Sequence, residues 1–157
     1  MQGLTKRWLT PPASDPAKPI ALRILGARGY TTKEQLDAFL DPKISMLEDP
    51  STLHGAGQAA EILFSVLKAE KKVLIFGDYD ADGITASAVL YHIIAAATGR
   101  EGPTIYIPDR IDEGYGIRPG AIDQFAASGV DLVISVDCGI TAVETAKRAK
   151  ELGISLI

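Results

Sequence analysis

The stretch Val73-Leu-Ile-Phe-Gly-Asp-Tyr-Asp-Ala-Asp-Gly83 decides the fold, because it joins a short apolar run to alternating aspartates between two glycines. Four consecutive apolar residues stopped by a glycine are typical of a strand buried in a parallel sheet. The Ala-rich segment 84–98 that follows predicts a helix closed by Gly99. The stretch therefore predicts a strand, a turn and a helix, with three carboxylates in the turn: Asp78, Asp80 and Asp82.

The downstream sequence repeats this alternation of strand and helix. Segments 104–107, 131–136 and 154–157 are short, apolar and rich in β-branched residues, which favours strands. Segments 119–128 and 141–152 have helical spacing, and each ends before a glycine. Strands that alternate with helices of this length predict βαβ crossovers. The predicted fold class is α/β, a parallel sheet with helices on both faces.

The upstream sequence predicts a small helical extension over residues 1–71. Segments 20–27, 32–40 and 54–70 have helical spacing, with Thr32 as a helix N-cap and Gln35 three residues later. The α/β domain is then predicted to occupy residues 72–157. Because the sequence stops within the fourth predicted strand, we expect this domain to continue in a longer protein.

Composition bounds the class of protein but says nothing about its reaction. The 157 residues are 46% hydrophobic, which predicts a folded globular protein. A single cysteine, Cys138, excludes an internal disulfide and suits a reducing cytoplasm, and no apolar run predicts a membrane span. The net charge of −4 argues against a broad nucleic-acid-binding surface. It does not argue against nucleic-acid chemistry, because metal-binding carboxylates count as negative until a metal binds.

Two of the predicted strands end in aspartates. Asp78, Asp80 and Asp82 follow the first strand, and Asp137 follows the third. Ligands of open parallel sheets bind beyond the carboxyl ends of the strands, so we expect these four carboxylates to converge. Carboxylates at close range repel one another unless a cation lies between them, and oxygen ligands favour Mg²⁺ or Mn²⁺. The sequence therefore predicts a site for two divalent ions that acts on phosphorus.

Three other acidic motifs fit less well. An EF-hand loop requires a glutamate at its twelfth position, where this chain has Val89, and it follows a helix rather than a strand. A haloacid-dehalogenase motif places threonine directly after the glycine, where this chain has Ile84. A receiver domain starts close to its first strand, whereas about seventy residues precede this one. The histidines His54 and His92 and the thiol of Cys138 are better explained as structural.

The loop after the second strand, Pro108-Asp-Arg-Ile-Asp-Glu-Gly-Tyr-Gly-Ile117, is a second candidate site. A guanidinium matches the geometry of a phosphate, so Arg110 is a candidate phosphate ligand. Tyr115 lies between two glycines and is a candidate for stacking on a base. An ordinary surface loop, in which Arg110 pairs with Asp112 or Glu113, explains the same residues equally well.

Taken together, these segments resemble a known family. The segment 73–88 resembles the first motif of the DHH phosphoesterase superfamily, and Ile134-Ser-Val-Asp-Cys-Gly-Ile-Thr141 resembles its second. The loop 107–117 is similar to the segment between these motifs in the RecJ branch, and the upstream residues from Leu40-Asp-Pro onward also fit that branch.

The resemblance implies a 5′-to-3′ exonuclease for single-stranded DNA that uses Mn²⁺ or Mg²⁺ in recombination and repair, with repair proteins as possible partners. By position it implies Asp80, Asp82 and Asp137 as catalytic metal ligands, Asp78 as a ligand or a neighbour of one, and Arg110 as a phosphate contact. Two alternatives stay open. One is another member of the superfamily that acts on short oligonucleotides, cyclic dinucleotides or pyrophosphate, and the other is a scaffold that has lost catalysis.

The chain departs from the family pattern at its end. The Asp-His-His motif that names the superfamily follows the fourth strand, and the sequence stops before it. The resemblance therefore implies that the metal site of this chain is incomplete. We expect the 157-residue chain to bind divalent ions weakly and to be inactive alone.

Overall fold

Parallel strands alternate with helices after residue 72 in the computed structural model, which describes residues 15–157. The strands are β1 (Val73–Gly77), β2 (Thr104–Tyr106), β3 (Leu132–Val136) and β4 (Ser155–Leu156), and the helices between them are α4 (Ala81–Thr98), α5 (Pro119–Ala127) and α6 (Val143–Glu151). Three helices precede the sheet: α1 (Ile20–Ala27), α2 (Lys33–Leu40) and α3 (Ala56–Lys68). Short 3-10 turns at Ile44–Met46 and Pro50–Thr52, which the sequence did not predict, lie between α2 and α3.

All four strands are parallel, in the order β2-β1-β3-β4, so the predicted α/β fold class is confirmed. The central strand β1 is buried along its whole length, as its unbroken apolar sequence predicts. Side chains alternate between the two faces of the sheet. Leu74, Phe76 and Val133 face a core built with α5 and α6. The opposite core contains Val73, Leu132 and Ile134, together with α3 and α4.

The strand order creates a crevice between β1 and β3. From β1 the chain continues through α4 to β2 on one side, whereas from β3 it continues through α6 to β4 on the other side. The helices α4 and α6 lie on opposite faces of the sheet. Loops that leave adjacent strands toward opposite faces open a crevice, and ligands of such sheets bind there. The topology therefore points to the carboxyl ends of β1 and β3.

The chain divides into two units between Pro50 and Ser51, inside the predicted extension 1–71. In the first unit, Thr32 caps α2 through the predicted capping box with Gln35, and the rings of Tyr30 and Phe39 pack 4.9 Å apart. The helix α3 belongs to the same unit as the sheet. A division at residue 71 stays a prediction, and residues 1–14 of that extension lie outside the described residues.

Helix α4 begins at Ala81, three residues before the predicted start, because Asp80 caps it. By length and composition alone this helix could also cross a membrane, with a mean hydropathy of 1.2 over 18 residues. One such helix is weak support for a membrane span, because core helices of other proteins pass the same test. The absence of a membrane partner therefore stays an expectation.

The first turn of α4 packs directly on the end of β1 at Gly83. A Cβ at this position would lie 2.5–2.6 Å from the backbone and Cβ atoms of Asp78. Real Cβ atoms do not approach other atoms so closely, so the glycine lets α4 lie against the loop after β1.

We therefore expect Gly83→Ala to lower the free energy of unfolding by about 1–3 kcal/mol, the usual cost of overpacking. Gly57→Ala in α3 is the matched control, since a Cβ there meets nothing within 4 Å. Alanine is the better helix former, so the control should raise stability by about 0.5–1 kcal/mol. Urea unfolding of both variants checks this. Equal stability of Gly83→Ala and the parent chain would contradict the packing described.

Candidate metal centre

The register between β1 and β3 places two aspartates side by side. Gly77 pairs with Val136 at the ends of the two strands, so Asp78 and Asp137 are the first residues beyond the paired segment. Asp78 is buried, and its carboxylate accepts the backbone N–H of Tyr79. Asp137 is exposed. Strand pairing therefore creates this part of the site without any contribution from the loops.

Asp80 is positioned by the helix that follows it. It is the N-cap of α4, and its Oδ1 accepts the backbone N–H groups of Asp82 at 3.1 Å and Gly83 at 3.0 Å. This carboxylate satisfies helix N–H groups that would otherwise lack partners. The N-terminus of α4 is thus already occupied by a side chain of the chain itself.

Asp78, Asp80 and Asp137 converge. Each offers a carboxylate oxygen, and these three oxygens lie within 4.8 Å of one another. Among residues 15–157, no lysine or arginine forms a salt bridge with any of the three. An all-carboxylate donor set suits hard divalent cations such as Mg²⁺ and Mn²⁺. The chemistry of these residues therefore fits the predicted ions.

The surroundings of Asp137 disfavour the charged form of its carboxyl group. Its pKa is raised by desolvation first, then by the charges of Asp80, Asp82 and Asp78, and by a hydrogen bond with Asp80. Each of these contributions disfavours the charged carboxylate. A cation bound among the three side chains would reverse this balance, so proton release and metal binding are expected to be coupled at Asp137.

The backbone at Asp137 is also unusual. Its φ of 60° lies in the left-handed region, which side chains other than those of Asp and Asn rarely adopt. This conformation occurs where the chain leaves β3 toward α6. It restricts the substitutions that Asp137 tolerates for reasons independent of charge.

Asp82 is not among the three carboxylates whose oxygens lie within 4.8 Å of one another. It is exposed in the first turn of α4, where a negative side chain is favourable near the helix N-terminus. Its charge nevertheless contributes to the raised pKa of Asp137, so it lies close to the cluster. The role of Asp82 as a metal ligand stays a prediction. His54 and His92 are not part of the cluster.

The loop after β2 brings Arg110 to the same edge of the sheet. Its guanidinium lies 5.1 Å from the centroid of the Tyr79 ring, within the range of a cation–π contact. Arg110 forms no salt bridge with Asp112 or Glu113 within the described part of the chain, so the ion pairs of the surface-loop alternative are absent there. The sequence analysis did not predict a role for Tyr79, since no pattern in the sequence indicates which ring an arginine of a distant loop will contact.

Tyr115 and Cys138 border the cluster. The hydroxyl of Tyr115 lies 3.5 Å from the carbonyl oxygen of Asp137, while 63% of the residue is exposed. Its pKa is raised by desolvation and then by neighbouring negative groups, led by Asp78. The pKa of the half-buried Cys138 thiol is raised by burial, then by Asp78 and Asp137. A raised pKa keeps this thiol protonated, as expected for a structural cysteine.

Comparison with known proteins gives a family and close relatives. The sequence model of the DHH family, N-terminal domain, matches residues 72–157. The chain is 38% identical over 139 residues to the single-stranded-DNA-specific exonuclease RecJ of Bacillus subtilis, and this alignment covers 88% of this chain and 17% of that protein. It is 30% identical over 156 residues to the enzyme of the same name from Escherichia coli, covering 98% of this chain and 26% of that protein.

A solved structure agrees with these matches. RecJ from Thermus thermophilus in complex with Mn²⁺ superposes with a TM-score of 0.56 and 31% identity, over 74% of this chain and 15% of that one. The chain thus spans about a quarter or less of the length of these relatives.

The raised pKa of Asp137 predicts that metal reverses the order of stability of the parent chain and the Asp137→Asn variant. A folded-state pKa above the ordinary carboxyl value of 3.8 means that folding stability falls as pH rises from that value through the raised pKa. Without metal at pH 7, Asp137→Asn should therefore raise the Tm, and asparagine tolerates the left-handed backbone. With saturating Mn²⁺ the parent chain should have the higher Tm, because a metal stabilises the folded state that binds it.

Thermal unfolding of the parent chain and of Asp137→Asn, in EDTA and in Mn²⁺, measures the Tm values that are compared. Near pH 3 both side chains are neutral, so the difference seen in EDTA should disappear. The same order of Tm values in EDTA and in Mn²⁺ would exclude Asp137 as a metal ligand.

Proposed function

The chain belongs to the DHH family, and from that membership we propose that it forms the N-terminal part of a metal-dependent exonuclease that hydrolyses single-stranded DNA from its 5′ end. The observation that carries the proposal is the convergence of three carboxylates at the crevice between β1 and β3. The sequence similarity to RecJ exonucleases supports the substrate class.

In this proposal one group of residues holds the metal ions and another group binds the DNA strand. Asp78, Asp80 and Asp137 would hold Mn²⁺ or Mg²⁺, two ions in the complete enzyme, and Asp82 would complete the acidic site. Bound divalent cations supply Lewis acidity and positive charge opposite a phosphate. Arg110 would bind a phosphate of the strand, and Tyr115 would stack on a base. The large exposed fraction of Tyr115 leaves its ring free for such stacking.

The extent of the similarity favours an exonuclease over other members of the family. The family model starts at residue 72, whereas the alignment with the Bacillus subtilis enzyme spans 139 residues and therefore includes residues upstream of the sheet. Single-stranded DNA is the proposed partner, together with proteins of DNA repair and recombination, and the cytoplasm is the proposed location. The retention of Asp78, Asp80, Asp82 and Asp137 argues against a scaffold without catalysis.

The proposed activity belongs to the longer protein. The chain spans 17% and 26% of the two RecJ relatives, and these 157 residues do not contain the Asp-His-His motif that the family resemblance implies. A metal site that lacks ligands binds its ion weakly, because affinity depends on ligand number and charge. The 157-residue chain alone should therefore release no mononucleotides.

The test is exonuclease activity of the full-length protein that contains this sequence, on 5′-phosphorylated single-stranded DNA with Mn²⁺. The parent should release mononucleotides from the 5′ end, and Asp80→Ala should lower kcat/KM by at least about a hundredfold, since even outer partners of metal ligands cost about 10–100-fold. Asp82→Ala is tested beside it.

The matched control is Glu151→Ala, an acidic side chain at the end of α6 that pairs with Arg148. It should keep full activity. Cleavage of cyclic dinucleotides or pyrophosphate, with long strands left intact, would replace the DNA proposal while keeping the metal site. Activity of the Asp80→Ala variant equal to that of the parent would refute the metal role of Asp80.

A further inference from the structure

The loop that carries Arg110 is a folded turn with its own hydrogen bonds. The side chain of Asp109 accepts the backbone N–H groups of Ile111 at 2.8 Å and Asp112 at 3.0 Å. The carbonyl oxygen of Asp109 accepts the N–H groups of Glu113 and Gly114, both at 3.0 Å. Arg110 therefore sits in a turn that is closed on itself, and we call residues 109–114 the arginine turn.

Glu113 ties the arginine turn to the sheet. Its Oε1 accepts the backbone N–H of Asp109 at 2.9 Å, and its Oε2 accepts the hydroxyl of Tyr106 at 2.5 Å. Tyr106 is the last residue of β2, so one carboxylate joins the beginning of the turn to the end of a strand. Both carboxylate oxygens of Glu113 therefore accept a hydrogen bond, one from the turn and one from the strand.

The tyrosine end of this link is fixed in the core. The ring of Tyr106 stacks on Phe76 with centroids 5.6 Å apart, and it meets Phe125 edge-on at 5.2 Å. Phe76 is buried in β1, and Phe125 is buried in α5. The pKa values agree with a tight pair, since the pKa of Glu113 is lowered and that of Tyr106 is raised, each mainly by their shared hydrogen bond. The contacts therefore run without a gap from the sheet to the turn.

Arg110 follows Asp109 at the beginning of the turn and contacts Tyr79 of the loop after β1. Its guanidinium lies over the ring of Tyr79, the residue between Asp78 and Asp80. Arg110 itself is exposed, and no salt bridge holds it within the described residues. Its location over Tyr79 thus depends on the turn rather than on an ion pair of its own.

We propose that Glu113 is a positioning residue, which acts through the arginine turn to hold Arg110 over Tyr79, the residue between Asp78 and Asp80, for binding a phosphate of the DNA strand. This inference rests on the proposed function and adds to it the residue that places the phosphate contact. Glu113 touches neither metal nor DNA in this role. The role requires the two hydrogen bonds that Glu113 accepts, from the N–H of Asp109 and the hydroxyl of Tyr106. It does not require the negative charge of Glu113.

The variants are chosen to separate the hydrogen bonds of Glu113 from its charge. Glu113→Ala removes both hydrogen bonds. Glu113→Gln removes the charge but keeps an amide oxygen for the N–H of Asp109 and an amide N–H for the oxygen of Tyr106. Tyr106→Phe removes only the hydroxyl and leaves the ring packing, so it is a mild second variant. Asp112→Asn is the control for charge, because it neutralises a carboxylate of the same turn that accepts neither of these hydrogen bonds.

The measurement is kcat and KM of the full-length protein on 5′-phosphorylated single-stranded DNA, with the Tm of each variant as a check on folding. Glu113→Ala should raise KM about tenfold with kcat within about twofold, because small misplacements of a binding group are costly. Tyr106→Phe should raise KM about threefold, and Glu113→Gln and Asp112→Asn should stay within about twofold of the parent, since geometry is preserved.

A double variant tests whether the effect passes through Arg110. If Glu113 acts only by placing that guanidinium, Arg110→Ala combined with Glu113→Ala should show the KM of Arg110→Ala alone. Additive effects would overturn the inference, as would a Glu113→Gln variant as impaired as Glu113→Ala, or an unchanged KM in both Glu113→Ala and Tyr106→Phe. Failure of the parent protein itself to degrade the strand would instead refute the proposed function, and the inference with it.

Discussion

The parallel pairing of β1 with β3 is the contact from which the rest of the candidate site follows. It sets Gly77 opposite Val136, so that Asp78 and Asp137 leave the sheet at the same level. Because α4 and α6 then turn to opposite faces, the two loops diverge and leave a crevice between them. Gly83 lets the first turn of α4 pack against this edge, and Asp80 enters the site as the cap of that helix. The same backbone interactions that stabilise the sheet therefore assemble the acidic cluster.

The cluster is arranged at a cost to the fold that a cation can offset. Asp78 is buried at the end of β1, Asp80 shares one oxygen with the helix, and Asp137 has a raised pKa and a left-handed backbone. Such features are tolerated when the surrounding structure holds them in place, and they are concentrated at functional sites. Arg110 of the arginine turn places one guanidinium over Tyr79 at the same edge, 5.1 Å from the ring centroid.

Much of this arrangement could be predicted from the sequence, because it depends on local patterns. The apolar runs predicted the strands, the glycines predicted the ends of the helices, and the placement of aspartates after β1 and β3 predicted their convergence. Three details could not be predicted in this way. The start of α4 depends on a side-chain hydrogen bond of Asp80, the separation of Asp82 from the other three carboxylates depends on the helical turn that carries it, and the link from Tyr106 to Glu113 depends on the path of a loop. These are matters of three-dimensional geometry that spacing alone does not determine.

The distance along the chain between the two halves of the acidic cluster has a consequence for biosynthesis. Asp78 and Asp137 are separated by about 60 residues, which contain α4, β2, α5 and β3, so the entropy of closing this loop is lost before they can meet. A nascent chain that has emerged from the ribosome only as far as α4 holds the first aspartates without their partner. Since domains fold as their residues emerge, the acidic cluster forms only once β3 has emerged and paired with β1. Metal capture is thereby delayed until the sheet that must hold the ion exists.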